Sequence, residues 1–161
     1  MCGFNNITTS DIISIIGIIV NSILALWIVF TIQKNIDNKR VLKDFLISEV
    51  RSLKTDYSNL LNNLQKGVLR PRRVNATFKL LNIKTQNIME ITSTKCKINE
   101  GYLKPYQTEL RTLITELDEY VSSFKNDDLI DLKAESMNKL IVFQQANSKF
   151  FNNLIVEINS K

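Results

Sequence analysis

The sequence predicts an all-α protein: one N-terminal transmembrane helix followed by an antiparallel helical bundle of about four helices, assembling as an oligomer. Three observations carry this. Residues 12–33 contain no charged side chain. Four glycines and two prolines in 161 residues are too few turn-formers for an all-β chain. Beyond residue 36, apolar residues recur three and four apart, the period of a helix buried along one stripe. The chain divides accordingly into a short extracytoplasmic N-terminus (1–11), a transmembrane helix (12–33) and a cytosolic helical domain (34–161). The last is long enough for one self-sufficient core.

Ile12–Ile32 holds sixteen apolar residues, nine of them isoleucine, interrupted by Gly17, Ser14, Asn21, Ser22 and Thr31. At ~1.5 Å per residue such a segment reaches about 30 Å, the thickness of a bilayer's hydrocarbon layer. A buried core helix this apolar on every face needs a larger protein around it. A cleaved signal peptide needs a basic leader and a small-residue cleavage site. Here Asp11 is the only charge before the segment, so an uncleaved span is expected. Lys34, Lys39, Arg40 and Lys43 follow it, while no Lys or Arg precedes it. The excess of positive charge places the N-terminus outside and the C-terminal domain in the cytosol. Ser14, Gly17, Asn21 and Ala25 share one face at helical spacing. Small residues permit close helix approach, and an in-membrane Asn gains from a partner, so this face predicts membrane-helix association.

The first cytosolic helix is expected over 36–66, with Leu42, Leu46, Val50, Leu53, Tyr57, Leu60 and Leu64 inward. Gly67 then stops it and Pro71 lies beyond. A second helix, 75–92, buries Val74, Phe78, Leu81, Ile88 and Ile91. Residues 93–104 read as irregular, with Ile98 and Tyr102 in a short strand or turn. A third helix, 105–125, opens on proline and carries Tyr106, Leu110, Leu113, Leu117, Val121 and Phe124. Asn126-Asp127-Asp128 reads as a turn and N-cap. A fourth helix, 128–158, carries Leu129, Leu132, Leu140, Phe143, Phe150, Leu154 and Ile158. Short connections make these an antiparallel bundle. A second arrangement extends the long first and fourth helices into an oligomeric coiled coil.

Charge is uneven. Residues 33–104 contain 15 Lys/Arg against 6 Asp/Glu, whereas residues 105–161 contain 6 against 9. No acidic residue separates Asp56 from Glu90, a window holding Lys66, Arg70, Arg72, Arg73, Lys79 and Lys84. Guanidinium forks bind phosphate bidentately and a helix N-terminus adds backbone donors. The Arg70–Arg73 turn, with Lys66, Lys79 and Asn75 nearby, is therefore the candidate phosphate-binding site; Thr77 is a further neutral partner. Three explanations compete for this turn. Anionic lipid head groups suit Lys34–Lys43 better, since a helix of roughly thirty residues carries the turn about 45 Å from the membrane. Pairing with the acidic end formed by Glu116, Asp118, Glu119, Asp127, Asp128 and Asp131 is the second. A soluble phosphate-rich ligand is the third.

There is no histidine, which removes the usual base near neutral pH and the commonest metal ligand. Cys2 and Cys96 form no CxxC pair, and Gly67 and Gly101 are isolated, so no glycine-rich phosphate loop is present. No catalytic motif, metal site or cofactor is expected. Three arginines with few aromatics are a weak signal for base readout, and no sequence-specific DNA binding is expected.

A spanning segment joined to a small basic cytosolic helical domain resembles the small membrane-anchored antiphage effectors of type III CRISPR systems. The resemblance covers the architecture of the whole chain and rests on no specific motif. It implies a non-enzymatic sensor-effector in the bacterial inner (cytoplasmic) membrane, whose partners are the lipid bilayer, further copies of itself and cyclic oligoadenylate. Only the Arg70–Arg73 turn has the chemistry for a phosphate ring. The other class of function weighed is a membrane tether or scaffold whose bundle recruits a protein partner.

Overall fold

The computed structural model describes residues 9–161, with side chains at residue 14 and from residue 16 onward; the expectations for Cys2 and for most of the N-terminal stretch lie outside these. All regular structure among the described residues is helical: α1 (Thr9–Gln65), α2 (Pro71–Cys96), α3 (Lys104–Thr115), α4 (Asp118–Phe124), α5 (Ala134–Ala146) and α6 (Phe150–Ser160). The chain forms two compact units, Met1–Leu42 and Lys43–Lys161.

In the first unit, α1 is long and apolar enough to cross a membrane. Its most apolar 18-residue window has mean hydropathy 2.1 and is wholly unburied. The hydroxyls of Ser22 and Thr31 donate to the carbonyls of Ile18 and Trp27, each at 2.8 Å. This back-bonding satisfies them without a partner helix. The Asn21 amide has no such arrangement among the described residues.

In the second unit, residues 43–65 of α1 pack beside α2 and α6. Asp56 meets Lys84 of α2, while Lys43 and Lys54 reach Asn159 and Asn152 of α6. Rising numbers on α1 thus match falling numbers on α6, so the two are antiparallel. α3 returns along α2, and α5–α6 returns along α3–α4, giving four rods in up-down alternation. Between them lies a core of Leu46, Val50, Leu53, Leu64, Leu110, Ile114, Leu140 and Leu154, all fully buried. At its centre Tyr106 sits 5.2 Å from Tyr57, 5.2 Å from Phe143 and 5.0 Å from Phe151, centroid to centroid. Burial, with a smaller push from Tyr57, raises the Tyr106 hydroxyl to about 12.

α1 ends as its sequence predicts. Gly67 adopts φ +67°, its N–H donates to Leu64 O, and the Val68 N–H donates to Asn63 O. This is the paired Schellman termination that glycine permits. α2 starts earlier than expected, at Pro71, because proline is preorganised for a first helical position; it also runs four residues further, to Cys96. A lysine, Lys97 at φ 57°, takes the left-handed position there and donates to Ser93 O at 3.0 Å. No strand forms over 97–103; Ile98 is buried in an irregular turn.

The third and fourth rods each differ from the single long helix expected. The third breaks at Glu116–Leu117, where Leu117 is extended (φ −65°, ψ 134°) and buried. The Thr115 hydroxyl bonds Arg111 O and Thr112 O, competing with the helix ladder. The break resets the register beyond it, so Tyr120 turns inward while Val121 and Phe124 are exposed; before it, Ile114 continues the buried face of Tyr106 and Leu110. Residues 125–133 are non-helical: Ile130 and Leu132 are both buried, a two-residue spacing that an extended chain meets and a helix does not. Leu129, expected inward, is exposed for that reason. The fourth rod breaks again after Ala146, where the Asn147 backbone N–H and side-chain amide both donate to Phe143 O.

Candidate anion-binding cleft

The acidic end of the bundle is used structurally. Asp127, left-handed at φ 54°, accepts the Arg72 backbone N–H at 3.0 Å. Arg70, at the N-cap of α2, has no side-chain oxygen to offer, so a carboxylate from the α4–α5 connection performs the cap. The same device recurs at α5, whose N-cap is Lys133. Glu119 of α4 accepts the Lys133 N–H at 3.1 Å and the Ser136 hydroxyl at 2.9 and 3.1 Å. Burial pushes the Glu119 carboxyl up. Hydrogen bonds from its own backbone, Lys133 and Ser136, with the Lys133 charge, outweigh this and hold it below its ordinary value.

The six residues predicted as a phosphate site are separated. Lys66 is exposed at the end of α1, and Arg70 and Arg72 are exposed at the start of α2. Arg73 lines a groove between α1 and α2 with Asp56 and Lys84. Lys84 is already engaged there, 2.7 Å from Asp56 and 2.8 Å from Ser52. Asn75 and Lys79 lie on the other flank of α2, since two residues turn a helix by about 200°. The basic segment therefore faces three directions.

Asn75 and Lys79 instead join residues that the sequence places far away. They line a cleft of ≈ 370 Å³ between α2 and α3 together with Tyr57, Phe78, Asn82, Lys104, Gln107, Thr108 and Arg111. Three cations border it and no carboxylate does. Among the described residues, Lys79, Lys104 and Arg111 take part in no ion pair. Its inner wall is ordered: Gln107 Nε2 donates to Tyr57 Oη at 2.8 Å. Burial raises the Tyr57 hydroxyl against the opposing hydrogen bonds of Gln107 and Thr85.

Local sequence builds the α3 wall. Gly101 N–H donates to Asn99 Oδ1 at 2.8 Å, Tyr102 N–H to Asn99 O and Lys104 N–H to Gly101 O. Buried Ile98 and Leu103 fasten this turn to the core. Pro105 then starts α3 so that Lys104, Gln107, Thr108 and Arg111 share a face. The opposing stripe on α2 is Asn75, Lys79, Asn82 and Gln86. Both stripes are acid-free and helically spaced, a signal visible in the sequence once the two helices are known to be neighbours.

A second cavity of ≈ 340 Å³ adjoins the first and shares Asn82, Lys104 and Gln107 with it; Glu100, Gln86 and Met89 are among its other lining residues. Ser14, Gly17, Asn21 and Ala25, the predicted association face of the first unit, are all exposed. A Cβ at Gly17 would meet nothing within 4 Å. No protein family model, no curated protein and no solved structure matches the chain.

Proposed function

We propose that this chain is a membrane-anchored, non-enzymatic sensor-effector of antiphage defence that binds a cyclic oligonucleotide second messenger through the α2–α3 cleft. The observation that supports this most is the convergence of Lys79, Lys104 and Arg111, from two helices, on a cleft without a carboxylate. Unpaired cations around hydrogen-bonding amides suit phosphate oxygens, and arginine adds a bidentate fork. In this reading residues 12–33 cross the bacterial inner membrane with the N-terminus outside, guided by Lys34, Lys39, Arg40 and Lys43. The Ser14/Gly17/Asn21/Ala25 face joins copies of the chain, because Asn21 in hydrocarbon is stabilised by a partner. Ligand binds one subunit arrangement more tightly than another and so shifts the membrane helices. The shift passes through α1, which contributes residues to both units.

The test uses the full chain in detergent, titrated with cyclic oligonucleotides of adenine and of guanine and with inorganic pyrophosphate. Micromolar binding is expected, and nothing tighter than about 1 mM, roughly −4 kcal/mol, would sink the ligand claim. Expression in cells should lower membrane potential only when the messenger is present.

A second reading, a tether that recruits a protein partner, draws on a different surface. Leu80 and Ile83 on α2 are 68% and 54% exposed, and Phe45 of α1 is 49% exposed. Phe45 also shares a small cavity with Ile88 and Ile91 of α2, and clustered apolar surface suits protein contact. It predicts no nucleotide binding and no change in membrane potential.

A further inference from the structure

The second cavity, unlike the first, carries a carboxylate. Glu100 lines it, one of only two acidic residues between Asp56 and Lys104. The Glu100 side chain has no ion pair and no hydrogen bond among the described residues. The connection that carries it is fixed on either side by buried Ile98 and Leu103 and by the Asn99–Gly101 bond. Asn82 and Gln86 supply amides from α2, and Met89 is among the other lining residues. Asn82, Lys104 and Gln107 line both cavities and so place the carboxylate-bearing one beside the cationic cleft.

An ionised carboxylate only accepts hydrogen bonds. Its two oxygens match two donors side by side, which guanine provides at N1–H and its 2-amino group. Adenine sets one amine beside the lone pair of N1, and that lone pair opposes a carboxylate. Cytosine likewise offers one donor next to an acceptor, and uracil one donor between carbonyls. Resting on the reading of the α2–α3 cleft as a phosphate site, we infer that the adjoining cavity reads the base of the bound nucleotide, with Glu100 selecting guanine. The ligand class is therefore a guanine nucleotide, its phosphate held by Lys79, Lys104 and Arg111.

The full chain in detergent is titrated separately with 5′-GMP, 5′-AMP and ribose 5-phosphate. GMP is expected to bind about tenfold more tightly than AMP, the discrimination of one good bidentate base contact. E100Q should abolish the GMP preference, because a glutamine amide offers one acceptor and one donor and so weakens GMP while favouring AMP, and it should leave ribose 5-phosphate unchanged. R111A should weaken all three. Equal affinities for the three probes, tighter binding of AMP, or a GMP preference that survives E100Q would each overturn base reading while leaving the phosphate site in place. Failure of all three probes to bind would remove the phosphate site as well. Circular dichroism of E100Q, a change at an exposed position, separates loss of selectivity from loss of fold.

Discussion

The basic turn at the start of α2 and the cleft between α2 and α3 carry similar charge but differ in construction. In the turn, Arg70, Arg72 and Arg73 are neighbours in sequence, yet the helix divides them between surfaces. The backbone donor that would assist an anion there, the Arg72 N–H, is taken by Asp127. In the cleft, Lys79, Lys104 and Arg111 are up to 32 positions apart in sequence and converge on one volume. Charge density along a chain measures attraction to a surface; a ligand site needs charges aimed at one point from separate elements.

The largest effect follows directly. Replacing Lys79, Lys104 and Arg111 together by Ala should weaken pyrophosphate binding by at least about 100-fold, since each charge-assisted hydrogen bond contributes ~1.5–3 kcal/mol. Replacing Arg70, Arg72 and Arg73 together should change it by less than about threefold, the scale of exposed charges. Calorimetry on the full chain compares the two variants. The opposite ranking would return the site to the turn.

The next effect concerns the carboxylates opposite the basic turn. Glu119→Ala leaves the Lys133 N–H and the Ser136 hydroxyl without their acceptor at a buried position, a loss of about 2–3 kcal/mol. Asp127→Ala removes one cap from an exposed helix start and should cost about 1 kcal/mol. Asp127→Asn should recover most of that, because asparagine also tolerates the left-handed conformation. Urea unfolding of the three variants gives the order. Equal costs would mean that both carboxylates act as surface charge alone.

Much of the architecture is legible in the amino-acid sequence. Leu46, Val50, Leu53, Tyr57, Leu60 and Leu64 are the buried stripe that their spacing requires, and Gly67 stops α1 where glycine should. The rods that helical periodicity merges are those broken without glycine or proline. Thr115 and Asn147 divert backbone bonds locally, and Ile130 and Leu132 demand an extended chain; neither leaves a strong mark in a three-and-four spacing. The acidic run is plain in the sequence but its role is not, because a carboxylate that caps a distant helix has no local signature. The cleft is half visible. Asn75 and Lys79 fall inside the acid-free window between Asp56 and Glu90, whereas Lys104 and Arg111 lie beyond it. Their partnership exists only once α3 is laid against α2.

The smallest effect is a pH dependence that separates the two sides of the comparison. The Glu119 carboxyl is held below its ordinary value of 4.5, so the unfolded chain takes up this proton first as pH falls. The stability it contributes is fully present above 4.5 and is lost as pH falls through the lower folded value. Glu119→Gln should flatten that acid limb while leaving the curve from about 5 to 8 unchanged in slope. Pyrophosphate affinity, corrected for the ligand's own titration, should stay level across the same range, because no carboxylate borders the cleft. An affinity that tracks the Glu119 limb would tie the cleft to the acidic end and make them one coupled device.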